Sequence, residues 1–160
     1  MNLRRILIVL LALGVGATVI LLWPTEPLSP SEQVRRRIVQ LSAAAQAREL
    51  GDVNDAISRS FRSPQGQDRD DVRRIIAAHL LRGQYLKVFT DVKGLTERSD
   101  EEVLAELNAY FARAEVDDVK TLARDSVMSA WRLEVTFRLE DGEWMATSAE
   151  WRRLSPGELF

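Results

Sequence analysis

From Trp131 to Glu140 the chain alternates without a break: Trp131, Leu133, Val135, Phe137 and Leu139 take one side, and Arg132, Glu134, Thr136, Arg138 and Glu140 the other. A period of two over ten residues is that of a β-strand with one dry face and one wet face. Asp141-Gly142 then turns the chain, and a second strand is predicted from Glu143 to Arg153. An antiparallel pair with one apolar face needs a second layer to cover it, so the rest of the chain must supply that layer.

Burial argues the register of this hairpin. A two-residue Asp-Gly loop sets Leu133 opposite Glu150 and Trp131 opposite Arg152, which brings charges onto the apolar face. A loop one residue longer, with Gly142 in the left-handed conformation, pairs Phe137 with Met145, Val135 with Thr147, Leu133 with Ala149 and Trp131 with Trp151. The longer loop is therefore predicted. It sends Trp144 to the outer face opposite Arg138, near Thr136, where it forms a candidate contact patch for a protein partner or a second copy.

The covering layer reads as helices. Ser29-Pro30-Ser31-Glu32 carries a cap, a first-turn proline and the acid of a capping box. Val34, Ile38, Leu41 and Ala45 follow on one face, and a stop is predicted at Gly51. Asp52 opens a shorter predicted helix with Ala56, Ile57, Ser60 and Phe61 on one side, broken by Ser63-Pro64-Gln65-Gly66. A third, from near Asp70 to Gly83, turns Val72, Ile75, Ile76, His79 and Leu80 inward. Tyr85 to Val92 alternates as a strand. Residues 102–114 fit either period: Leu104, Leu107 and Phe111 make a helical stripe, whereas Val103, Ala105, Leu107, Ala109 and Phe111 make a strand face.

Taken in this order, the long helix, the short helix ending in Ser-Phe-Arg-Ser, Pro64-Gln65-Gly66-Gln67-Asp68-Arg69 before Val72-Arg73-Arg74-Ile75-Ile76, and the closing Asp141-Gly142-Glu143-Trp144 to Trp151-Arg152-Arg153 resemble the nuclear-transport-factor-2-like superfamily. The similarity covers residues 31–154 and leaves 155–160 as a tail. It implies an α+β, cystatin-like cone in which three helices pack in the concave face of a curved antiparallel sheet, and with it a strand over 102–114. It also implies a pocket inside the cone, for which the lining candidates are Phe61, Ile76, His79, Trp131, Leu133, Val135, Phe137, Met145, Thr147 and Trp151. The superfamily includes isomerases, dehydratases and non-catalytic binding or assembly modules, so fold does not decide activity.

Ahead of this domain, Ile6 to Trp23 is eighteen residues without a charge. As a helix it is about 27 Å long at 1.5 Å per residue, close to the roughly 30 Å of a bilayer core. Residues 1–5 are a basic tail carrying Arg4 and Arg5, 6–23 a transmembrane helix, and 24–30 a proline-rich linker. The Leu-Leu-Trp-Pro sequence after the apolar core lacks the small residues of a cleavage site, which favours a retained anchor over a signal peptide. Arg4 and Arg5 favour a cytoplasmic amino terminus, opposed by Arg35, Arg36 and Arg37 beyond the linker. The expectation is a single-pass protein of the bacterial inner membrane with a periplasmic domain.

Chemistry is sparse. The sequence holds one histidine and no cysteine, which argues against zinc, and the acidic pairs Asp70-Asp71, Glu101-Glu102 and Asp117-Asp118 sit where helix starts and turns favour acids. Neither metal nor cofactor is expected. Without Arg4, Arg5 and Glu26, the 22 basic and 24 acidic residues fall to 20 and 23, a balance unsuited to nucleic acid. The predicted function is a non-catalytic binding or assembly module held close to the bilayer through 6–23. The alternative is an isomerase- or dehydratase-type envelope enzyme using His79, which requires an acid beside that ring.

Overall fold

The computed structural model describes residues 27–82, 85, 87–113 and 126–159. The basic tail and the apolar run 6–23 lie outside the described residues. Among those described, no helix is long and apolar enough to cross a membrane.

Three helices precede four strands. Helix α1, Pro30–Ala47, opens on a complete capping box: Glu32 N–H donates to Ser29 Oγ (3.3 Å), and Ser29 N–H donates to Glu32 Oε2 (3.1 Å). Its inward face buries Val34 and Ile38. The helix stops earlier than Gly51. Arg48 takes the left-handed cap at φ 60° while its guanidinium lies 5.4 Å over the Tyr85 ring, and Gly51 falls inside α2, Leu50–Asp55.

The second predicted helix is the larger correction. Helix α2 ends at Asp55, and Ala56 to Ser63 runs as irregular chain along the sheet edge, with Ala56, Ile57 and Phe61 buried. Ala146 N–H donates to the Ala56 carbonyl (2.8 Å), and Ser58 and Arg62 N–H donate to the carbonyls of Ala146 and Thr147. Pairing with an open edge satisfies backbone groups that a helix would have satisfied internally, and the helical spacing of Ile57 and Phe61 was shared by both outcomes. Helix α3, Arg69–Arg82, starts at Asp68, whose Oδ1 accepts from the N–H groups of Asp70 and Asp71 at 3.0 Å each.

The strands β1 (Lys87–Ser99), β2 (Glu102–Ala112), β3 (Val127–Glu140) and β4 (Glu143–Arg153) form one antiparallel sheet in that order. Residues 102–112 are thus strand: placed between β1 and β3, Val103, Ala105 and Leu107 go into the core, a use that outweighs the helix propensity of their neighbours. Bulges interrupt β1 twice, β3 once at Met128 opposite β2, and β4 once at Thr147 opposite β3, and each adds bend and twist, so the sheet curves around the helices.

The β3–β4 register departs from the sequence prediction. Glu140 pairs with Glu143 and Leu139 with Trp144, so the loop is the two-residue one. Asp141 and Gly142 both have positive φ, 51° and 84°, the conformation of a tight hairpin turn. The extra residue enters later, at Thr147. Beyond it Val135 faces Ala149 and Leu133 faces Trp151, which spares the apolar face the charges that an unbroken two-residue register would bring.

Because the turn is tight, Trp144 lies on the concave side with Leu139. It is buried in a cluster with Val34, Ile38, Val103, Leu107, Val135 and Phe137, and its indole N–H donates to Gln33 Oε1 at 3.0 Å. Gln33 in turn donates to the Leu28 carbonyl (2.8 Å), tying the entry of the domain to the tip of the hairpin. On the outer face, the chain after β4 folds back: Leu154 and Leu159 cover Tyr110, whose hydroxyl donates to the Leu159 carbonyl at 3.2 Å. Residues 155–159 therefore pack as part of the domain.

Candidate functional site

Between the helices and the sheet the cone is open, with a cavity of about 310 Å³. Its wall shows why space remains. Ala45 on α1, Ala56 after α2, Ala109 on β2, and Ala146 and Ala149 on β4 all line it, and a methyl group cannot reach across the distance that curvature opens. Larger groups, among them Phe61, Phe111, Phe137, Trp131 and Trp151, complete the lining.

Eight of the predicted lining residues meet here: Phe61, Ile76, His79, Trp131, Leu133, Val135, Phe137 and Trp151. Met145 and Thr147 do not. Met145 pairs with Arg138 and belongs to the opposite face, and Thr147 is the bulge residue, its hydroxyl donating to the Thr136 carbonyl (3.2 Å). Both corrections follow from the hairpin register, since a slip of one position exchanges the faces. Sequence reasoning missed Thr90, Ala109 and Phe111, although alternation along β1 and β2 carried the signal.

The outer-face contact patch dissolves for the same reason. Trp144 is in the core, and Arg138 is exposed and bound to Glu102, with 2.6 Å between its Nε and Oε2. Thr136, half-buried, stands opposite Ser148. Between these residues and the covered end of the sheet, Glu106, Glu134 and Glu150 lie side by side across three strands and are all exposed. A row of like charges there is unsuited to an apolar contact.

His79 is the ionisable side chain in the described lining. Its ring meets Phe111 edge-on with centroids 4.4 Å apart and Trp131 at 6.0 Å. Nε2 is buried with no hydrogen-bond partner. Burial, followed by the positive charge of Arg153, holds its pKa below the usual imidazole value, so at neutral pH the ring is uncharged. Behind Phe111 stands Tyr85, its centroid 5.0 Å from that of Phe111, with its hydroxyl donating to the carbonyls of Ala45 and Leu80 and so linking α1 to α3. No carboxylate among the described residues hydrogen-bonds His79. The only other polar lining residues described are Ser42, which donates to the Val88 carbonyl at 3.4 Å, and Thr90.

A four-stranded curved sheet closed on its concave side by three helices is the nuclear-transport-factor-2-like cone fold, and solved structures of that class superpose on this chain. One from Pseudomonas putida, of unknown function, is 12% identical with a TM-score of 0.57 over 76% of this chain and 84% of that one. A protein from Thiobacillus denitrificans, described as a calcium/calmodulin-dependent protein kinase type II association domain, is 14% identical with a TM-score of 0.58 over 81% of this chain and 100% of that one. A third, described as a scytalone dehydratase from Novosphingobium aromaticivorans, is 12% identical with a TM-score of 0.56 over 78% and 83%. At these identities the likeness concerns the fold. No family model and no curated protein matches the sequence.

Proposed function

We propose that the protein is a membrane-anchored, non-catalytic binding module whose cone takes up a small apolar ligand close to the bilayer. The observation that carries this reading is the cavity wall. Among the described residues, twenty-five line it and one of these, His79, is ionisable. A volume of about 310 Å³ is at the lower end of ligand pockets, which run from roughly 300 to 1,000 Å³ and are mainly apolar. A proton-transfer enzyme of this fold would need a base matched to its task. An imidazole with a lowered pKa and no acid partner among the described residues suits a lining group better.

The anchor belongs to the same proposal. The uncharged run 6–23 and the basic Arg4 and Arg5 support a single pass through a bacterial inner membrane with the cone on the periplasmic side. From Trp23 to the start of α1 at Pro30 the chain spans at most about 25 Å, which keeps the cavity near the lipid.

The test is calorimetric titration of the full-length chain in lipid nanodiscs with 1-decanol, with empty discs as the blank. Saturable uptake is expected, and it is expected to vanish in Ala149→Leu, which fills the cavity from β4. Absence of saturable uptake by the folded wild-type chain would overturn the reading.

A further inference from the structure

Two groups in and beside the cavity are not explained by an apolar ligand alone. His79 Nε2 is buried and unpartnered at the edge of Phe111 and Trp131. Arg153 stands directly opposite Trp131 across the β3–β4 ladder, two residues beyond the cavity-lining Trp151, and so shares the concave face. Arg153 is exposed, and no ion pair engages it among the described residues.

We infer that the cavity holds an amphiphilic monocarboxylate, its tail inside the cone and its carboxylate on His79 Nε2 and Arg153. The inference rests on the reading of the cavity as a ligand site and adds the class of ligand. An apolar wall favours a hydrocarbon tail but leaves a buried carboxylate uncompensated. The guanidinium supplies the counter-charge and the imidazole a hydrogen bond, and charge-assisted bonds of this kind are roughly twice as strong as neutral ones. Among the described residues, the charge that acts on the ring is the positive one of Arg153, and Tyr85 stands behind Phe111 with Arg48 over its ring. At about 30 Å³ per non-hydrogen atom, taking water as the measure, the cavity accommodates a chain of roughly ten atoms.

Decanoate is the matching probe and 1-decanol its uncharged control. With the full-length chain in nanodiscs, decanoate is expected to bind at least about ten-fold more tightly than decanol at pH 7. It should also raise the pKa of His79, read from the ring NMR signals of the chain's single histidine. Arg153→Gln, a surface change, should cost decanoate about ten-fold and leave decanol unchanged. Equal affinities for the two probes, or a His79 pKa unmoved by decanoate, would overturn the carboxylate assignment and leave the apolar cavity standing. If neither probe binds, the cavity reading fails and this inference fails with it.

Discussion

At the scale of the residue, His79 and Trp144 show how environment assigns a role that residue type does not. The unfolded imidazole titrates near 6.5, and the cavity wall holds it lower in the folded chain. The unfolded state therefore binds more protons between the two values, so this contribution to stability is complete above about pH 6.5 and is lost as pH falls through the folded pKa. Urea unfolding between pH 7.5 and 5 should show that loss in the wild type, and it should be absent from His79→Phe. Trp144 tests the hairpin register. Buried and bonded to Gln33, it should lose about 1 kcal/mol on replacement by Phe and about 3 to 5 kcal/mol on replacement by Ala in equilibrium unfolding. On an outer face the alanine change would cost within about 0.5 kcal/mol.

At the scale of the element, the extra residue in β4 decides which side chains face the cavity. Its turn-side half follows the two-residue loop and its far half is offset by one, so Trp144, Ala146, Ala149 and Trp151 all face inward. Deleting Thr147 would remove the extra residue and leave Val135 opposite Ala149 and Leu133 opposite Trp151, so the same side chains would still face inward; deleting Thr147 and Ser148 together would set Glu150 and Arg152 on the apolar side. Circular dichroism and unfolding should show the cooperative domain retained in the single deletion and lost in the double one. The segment 56–63 is the complementary case. Its apolar spacing satisfies a helix and a strand edge alike, and the partner backbone of Ala146 and Thr147, distant in sequence, determines the outcome.

At the scale of the molecule, the two ends of the cone differ. Around Val34 and Trp144 the interior is packed, whereas Ile38, His79, Phe111 and Trp131 line the cavity. The entry of the domain at Leu28 and Ser29 is tied to the packed end, through Gln33 to Trp144 and through Ser31 N–H to Glu97 Oε1 at 2.9 Å. A reporter fused after Phe160 is expected to be active on the periplasmic side. A cytoplasmic signal would overturn the proposed topology but leave the cavity unaffected.

The sequence by itself determined the kinds of elements wherever periodicity, caps and turn residues agreed: the capping box at Ser29, the helix carrying His79, the alternation of β3 and the Asp-Gly turn. These are local properties, set by backbone geometry within a few residues. The strand at 102–112 came from resemblance because local propensity opposed it. Tertiary structure alone decided the register beyond Thr147, the burial of Trp144, the path of 56–63 and the approach of Arg153 to His79. Each depends on backbone or side chains brought together from distant parts of the chain, and because strand faces alternate, one residue of register is enough to exchange core for surface.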